Sequence, residues 1–191
     1  MELLILLVVV VVLVFWMIGA YNRLVTLKNE VVNAWKQIDV QLKRRHDLVP
    51  NLVSTVRGAM DFERETLEAV IAARTRAVAA TGVKETARAE GELTQALGRL
   101  FAVSEAYPDL KSHTNIGALQ EELTSTENRV SFARQHYNDV ATSYNVAQTT
   151  FPTMLVAGIA GASPAELWEI EEPAERAVPV VDLSRPKPPA A

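Results

Sequence analysis

The chain opens on a stretch without polar alternation. Leu3 to Ala20 reads LLILLVVVVVLVFWMIGA and carries no charge. As a helix rising 1.5 Å per residue it is about 27 Å long, enough to cross a hydrocarbon core of about 30 Å. Valine is a mediocre helix former in water. In lipid, however, the backbone of a lone span can satisfy itself only as a helix. Trp16 and Tyr21 fall near the end of the run, where amphipathic rings settle at headgroup level. A cleaved signal peptide is the competing reading. Against it stand Glu2 in place of a basic n-region, an apolar run longer than an ordinary h-region, and Ile18 ahead of the small pair Gly19-Ala20.

Beyond the apolar run the period changes to that of an amphipathic helix. Leu24, Leu27, Val31, Trp35, Ile38 and Leu42 are spaced by three and four, with no Gly or Pro between Ala20 and Pro50. The span and the first bundle helix therefore read as one rod, which is expected to end near His46-Asp47. Asp47 would cap a second helix with Pro50 in its first turn. That helix carries Leu52, Val56, Met60, Glu63, Leu67, Val70, Arg74 and Ala77, with charges interrupting its seam, and closes at Thr81-Gly82. Leu93, Leu97, Leu100, Ser104 and Tyr107 mark a third helix, weakened by Gly91 and Gly98 and broken by Pro108-Asp109.

The fourth helix has the strongest pattern. Ile116, Leu119, Leu123, Thr126, Val130, Ala133, Tyr137, Val140, Tyr144 and Ala147 alternate steps of three and four, a coiled-coil heptad, until Phe151-Pro152. The pattern predicts an all-α protein: a single N-terminal transmembrane helix continuing into an antiparallel up-and-down four-helix bundle. Residues 1–20 form the anchor, 21–152 the bundle, 153–170 a docked segment and 171–191 a disordered Pro-rich tail. In the docked segment Ser163 and Pro164 read as the cap and first residue of a helical turn, with Leu155, Ile159, Leu167 and Trp168 packing on the bundle.

Composition narrows the chemistry. The net charge is −4, which excludes the basic field of a nucleic-acid binder. The absence of cysteine excludes a disulfide framework, a thiolate zinc site, a catalytic thiol and a lipidated cysteine. Arg23, Lys28, Lys36, Lys43, Arg44 and Arg45 follow the span, while Glu2 precedes it. The positive-inside rule therefore favours the N-terminus outside and the domain in the cytoplasm, with the exception that long domains can translocate regardless of charge.

Three stretches reach beyond periodicity: YNRLVTLKNEVVNAWKQIDVQLKRRHDLVPNLVSTVRG, EAYPDLKSHTNIGALQEELTSTENRVSFARQHYNDV and YNVAQTTFP. In this order, over roughly residues 21–170, they resemble the LemA family. The resemblance implies a bacterial protein with an N-terminal membrane helix and a helical bundle. It implies no established enzymatic activity and supplies no catalytic residues.

The residues themselves supply none either. A di-metal carboxylate bundle needs Glu-x-x-His pairs, yet the positions three before His46, His113 and His136 are Lys43, Leu110 and Ala133. The three histidines read as unconnected polar residues. No nucleophile elbow and no Gly-rich phosphate loop occurs. Lys43-Arg44-Arg45-His46 could meet lipid headgroups, but a straight rod puts it about 35 Å from the bilayer. The favoured alternative is charge at the C-terminus of the first helix, partnered by acids of adjacent helices. Glu121, Glu122, Glu127, Arg129 and Arg134 flank the heptad and should form ion pairs. Asn22, Asn33, Asn51 and Asn128 are candidates for a buried polar group fixing helix register.

The expected protein is thus a non-enzymatic, membrane-anchored helical scaffold or adaptor of the bacterial inner membrane, without cofactor or metal. Its partners would be the bilayer through residues 3–20 and membrane or membrane-proximal proteins. A homo-oligomeric membrane assembly is the alternative, and an unrecognised enzyme the remoter one.

Overall fold

The computed structural model describes residues 1–57, 63–105 and 114–169. Met60, Tyr107, Pro108-Asp109, His113 and the 171–191 tail lie outside the described residues. In chain order the helices are α1 (Glu2–Arg57), α2 (Arg64–Ala79), α3 (Val83–Ser104), α4 (Thr114–Thr149) and the single turn α5 (Met154–Ala157). Among the described residues there is no strand, so the protein is all-α, with one long apolar N-terminal helix.

α1 is one rod of 56 residues, about 84 Å at the usual rise. It does not end near His46-Asp47, and Pro50 lies inside it. Leu52 and Val56, expected on the second helix, belong to this first one. Two physical facts correct that reading. Pro50 has no N–H, which orphans the His46 carbonyl one turn earlier. Arg74 of α2 fills the gap, its Nε donating to His46 O at 2.7 Å. The turns around the proline also bury Val49, Leu52, Val53 and Val56 almost completely. Each such side chain contributes about 1.5–3 kcal/mol, which together outweighs the roughly 3 kcal/mol cost of an interior proline.

α2 and α3 form a hairpin. Ala80 is extended and Gly82 takes φ +82°, left-handed geometry open to glycine at little cost. So short a connection sets the two helices side by side, and they bury Leu67, Val70, Ala73 and Ala77 against Ala89, Leu93, Ala96, Leu97 and Leu100.

The core falls into three successive groups that show α1 and α4 running antiparallel. Near the span, Leu24 of α1 meets Tyr144 and Ala147 of α4. In the middle, Ala34, Ile38 and Leu42 meet Val130, Tyr137 and Ala141. At the far end Val49, Leu52, Val53 and Val56 join Ile116, Leu123 and the α2–α3 hairpin. Four helices thus share the distal core, whereas the level nearest the span is built by α1, α4 and the segment after α4. α4 spends its heptad on α1: Ile116, Leu123, Thr126, Val130, Tyr137, Tyr144 and Ala147 are buried.

The segment after α4 docks differently from its expected pattern. Trp168 and Val156 are buried, but Leu155 and Ile159 are 62% and 71% exposed. Residues 162–169, Ser163 and Pro164 included, are not helical. This irregular run is held by α4 side chains, and no helical turn is required there.

Candidate functional site

Three features of this scaffold are candidates for chemistry or recognition: the span, a buried charged group inside the distal bundle, and the surface seam between α1 and α4. Along the span every side chain from Leu3 to Gly19 is exposed except Trp16, which is partly covered. A continuous apolar cylinder of this length is stable only in contact with lipid or with other apolar chains. It is the one helix among the described residues long and apolar enough to cross a membrane.

The buried group gathers side chains from three helices. Arg45 is 3% exposed and Glu90 is 4% exposed. Arg45 donates to Glu90 at 3.1 Å, to Glu127 at 2.7 Å and to Thr94 at 2.9 Å. His46 Nε2 lies 2.5 Å from the other Glu90 oxygen. One guanidinium, fixed by α1, thereby ties α3 through Glu90 and Thr94 to α4 through Glu127. Burial of a charge costs several kcal/mol unless it is paired and hydrogen-bonded, and here it is both. The adjacent turn of α1 carries the Arg74 contact to His46 O, so α2 joins the same level.

This arrangement modifies two sequence readings. His46 is not an isolated polar residue, because it shares Glu90 with Arg45. Acids of adjacent helices do partner the basic cluster, since Arg44 also pairs with Glu122 at 2.7 Å. The helix dipole is not the reason, however: residues 43–46 lie about three turns before the end of α1, and the dipole acts within the last turn. Of the acids flanking the α4 heptad, Glu122 and Glu127 thus pair across to α1. No group of three or more His, Asp or Glu able to hold a metal is present among the described residues.

The asparagines that fix the packing are not the four singled out by sequence. Asn22, Asn33, Asn51 and Asn128 are all exposed. Asn138 and Asn145 do the work instead. The Asn138 amide accepts from Trp168 N at 2.8 Å and donates to Trp168 O at 3.0 Å. Asn145 repeats the pattern with Ala165 N and O, both at 2.8 Å. Each side chain acts as a surrogate strand neighbour for extended backbone. Tyr137 O–H donates to Glu166 O at 2.7 Å between them. Burial first, and then the negative charge of Glu166, raise the Tyr137 pKa above its ordinary 10.0. Trp168 is thereby brought against Trp35, with ring centroids 6.0 Å apart, and Trp35 meets Tyr137 edge-on at 5.4 Å. The signal was available in the sequence: Asn138 and Asn145 are one heptad apart and flank the same seam.

On the outside of the α1–α4 seam lies a shallow groove that includes Lys36, Val40, Arg129, Phe132 and His136. Phe132 is 72% exposed and Val40 64%. Basic side chains border this apolar pair, on a chain whose net charge is −4.

A lipid-seeking span on a helical domain, with its buried charges tied up in structural pairs, defines a membrane-anchored helical protein. The LemA family model matches residues 34–183, and the chain belongs to the LemA family. It is 30% identical over 145 residues to Protein LemA of Metamycoplasma hominis, covering 75% of this chain and 66% of that protein. It is 28% identical over 180 residues to magnetosome protein MamQ 2 of Paramagnetospirillum magneticum and to MamQ of Magnetospirillum gryphiswaldense, covering 81% of this chain and 66% of each. The chain thus spans just under two thirds of the length of these relatives.

Proposed function

We propose that this chain is a non-enzymatic scaffold of the bacterial inner membrane, which holds a helical binding surface at a set height above the bilayer for a membrane-proximal protein partner. The observation that carries the reading is the Val40–Phe132 groove on a rod continuous with the span. Val40 stands about 30 Å beyond the end of the span at 1.5 Å per residue. The scaffold there is stiff, because Arg45 and the Trp35–Tyr137–Trp168 cluster lock the helices on either side. An exposed aromatic beside an aliphatic side chain with a cationic border suits a partner helix with an apolar stripe and acidic flanks.

Three further points support this proposal. The charged residues best placed for chemistry are occupied in pairs. None of the three relatives' names denotes a reaction. The burial stripe Ala20, Leu24, Ala34, Ile38 begins at the second residue of the small pair Gly19-Ala20, so the packed face of α1 runs up to the end of the apolar run. The charge bias after the span favours an N-terminus outside and a cytoplasmic domain. Self-association would fall to the valine-rich span, because α1 already covers the α4 heptad.

The test is site-specific photocrosslinking in cells from a benzoylphenylalanine at position 132, beside the same probe at exposed Thr124. A discrete adduct from 132 alone, abolished by Val40→Asp in a chain of unchanged helicity, is the expected result. Equal labelling from both positions, or none from either, refutes the groove. An adduct of twice the chain mass would assign the surface to self-assembly.

A further inference from the structure

The segment after α4 leaves an apolar surface that neither the fold nor the proposed partner groove uses. From Val140 to Ala165 no residue carries a charge. The fold uses one side of its later part: Val156 is buried, and Ala157, Ala160, Ala162 and Ala165 pack near Leu24. The other side shows Phe151 at 72%, Met154 at 50%, Leu155 at 62% and Ile159 at 71% exposure. Four large apolar side chains within nine positions, all turned outward, are unusual on a surface that faces water.

Their height on the molecule explains them. α4 reaches Leu24 with Tyr144 and Ala147, and Ala157, Ala160 and Ala162 after it pack at the same level. α5 packs directly on α1. Ala20 is buried and Trp16 partly covered, on the same helix face as Leu24. The segment therefore lies against α1 at the level of Leu24, one helical turn beyond Ala20. An apolar, uncharged surface at this level lies about one helical turn from Ala20, where the apolar run of the span ends.

We infer that residues 151–159 form a second lipid contact, in which Phe151, Met154, Leu155 and Ile159 sink into the headgroup–acyl boundary of the bilayer that α1 crosses. This rests on residues 3–20 being a retained span. Elements that lie in the bilayer interface bury their apolar side about 5–10 Å deep. With no basic residue between 140 and 165, binding draws on apolar burial alone and does not require anionic lipid. Two contact points fix the tilt and rotation of the rod, which a lone helix would leave free to swivel. The outward direction of the Val40–Phe132 groove is fixed with them.

The chain has no cysteine, so single cysteines report cleanly. Full-length protein carrying Val10→Cys, Leu155→Cys, Ile159→Cys or Phe132→Cys is labelled with an environment-sensitive fluorophore. It is then reconstituted in phosphatidylcholine vesicles containing nitroxide-chain lipid. Labels at 155 and 159 should be quenched by the lipid severalfold more than the label at 132, approaching position 10, and should be shielded from aqueous iodide. Iodide access at 155 and 159 with position 10 still quenched by lipid overturns the second contact and leaves the span intact. Loss of lipid quenching at position 10 defeats the span itself. Shielding at 155 and 159 that is lifted by dilution into excess lipid assigns the surface to a second copy of the chain and also overturns the inference.

Discussion

The two ends of the α1–α4 pair are held by opposite means. At the distal end four helices close around aliphatic side chains and a buried Arg45–Glu90 pair, which Glu127, Thr94 and His46 extend. Near the span, α2 and α3 are absent from the packing, and α1 and α4 are closed by extended chain that two asparagines stitch to α4. The distal end depends on an all-or-none electrostatic group in a low dielectric. The proximal end depends on neutral hydrogen bonds and aromatic contact that can open locally. The distal group should therefore control global stability, while the proximal stitching should control how firmly the end nearest the bilayer is shaped.

The sharpest way to break this contrast is Arg45→Ala. It leaves Glu90 buried without its cationic partner, for which the expected cost is about 3–5 kcal/mol of global stability. Chemical denaturation of the full chain in detergent, followed by helical circular dichroism, measures it. Arg45→Met combined with Glu90→Leu removes both charges and should recover most of that loss, since replacement of a whole buried pair by apolar groups is often close to neutral. If the single variant costs less than about 1 kcal/mol, the pair behaves as an exposed salt bridge and the distal end has no special status.

At the other end the expected effects are smaller and local. Asn138→Ala and Asn145→Ala each remove the donor and the acceptor that serve the backbone of Trp168 or Ala165. About 1–2 kcal/mol should be lost for each. Hydrogen exchange at the Trp168 and Ala165 amides should accelerate, with little change at Val53 or Leu97 in the distal core. Equal acceleration at both ends would show a single cooperative unit and remove the distinction.

How much of this was legible in the sequence differs between the same two regions. The helical stripes of α1 and α4 stood out because their burial repeats at helical period, and the span because it lacks any polar position. The break at Pro50 did not occur, because local rules for proline give way when another helix supplies the missing donor. Arg74, which looked like an interruption of an apolar seam, is that donor. The pairing of Arg45 with Glu90 joins residues far apart in the chain, and no spacing rule links them. The stitching left one mark in the sequence, Asn138 and Asn145 a heptad apart, but its partners were not legible, because the segment they hold is positioned only by the tertiary fold.

Tyr137 offers the finest test, because it separates the aromatic contact from the hydrogen bond at the proximal end. Tyr137→Phe keeps the ring against Trp35 and removes only the O–H donated to Glu166 O. Near neutral pH the loss should be about 0.5–1.5 kcal/mol. The folded state holds the phenolic proton more tightly than the unfolded chain, because burial and then Glu166 raise the Tyr137 pKa above 10.0. Its stabilising contribution is therefore complete below pH 10 and lost as pH rises through the folded value. The wild-type and Phe proteins should differ near neutrality and converge as the solution becomes more alkaline than pH 10. Urea midpoints measured across that range read the convergence directly. A constant gap would mean that the hydroxyl stays solvated in the folded protein, and that ring packing, rather than the bond to residue 166, holds the extended segment in place.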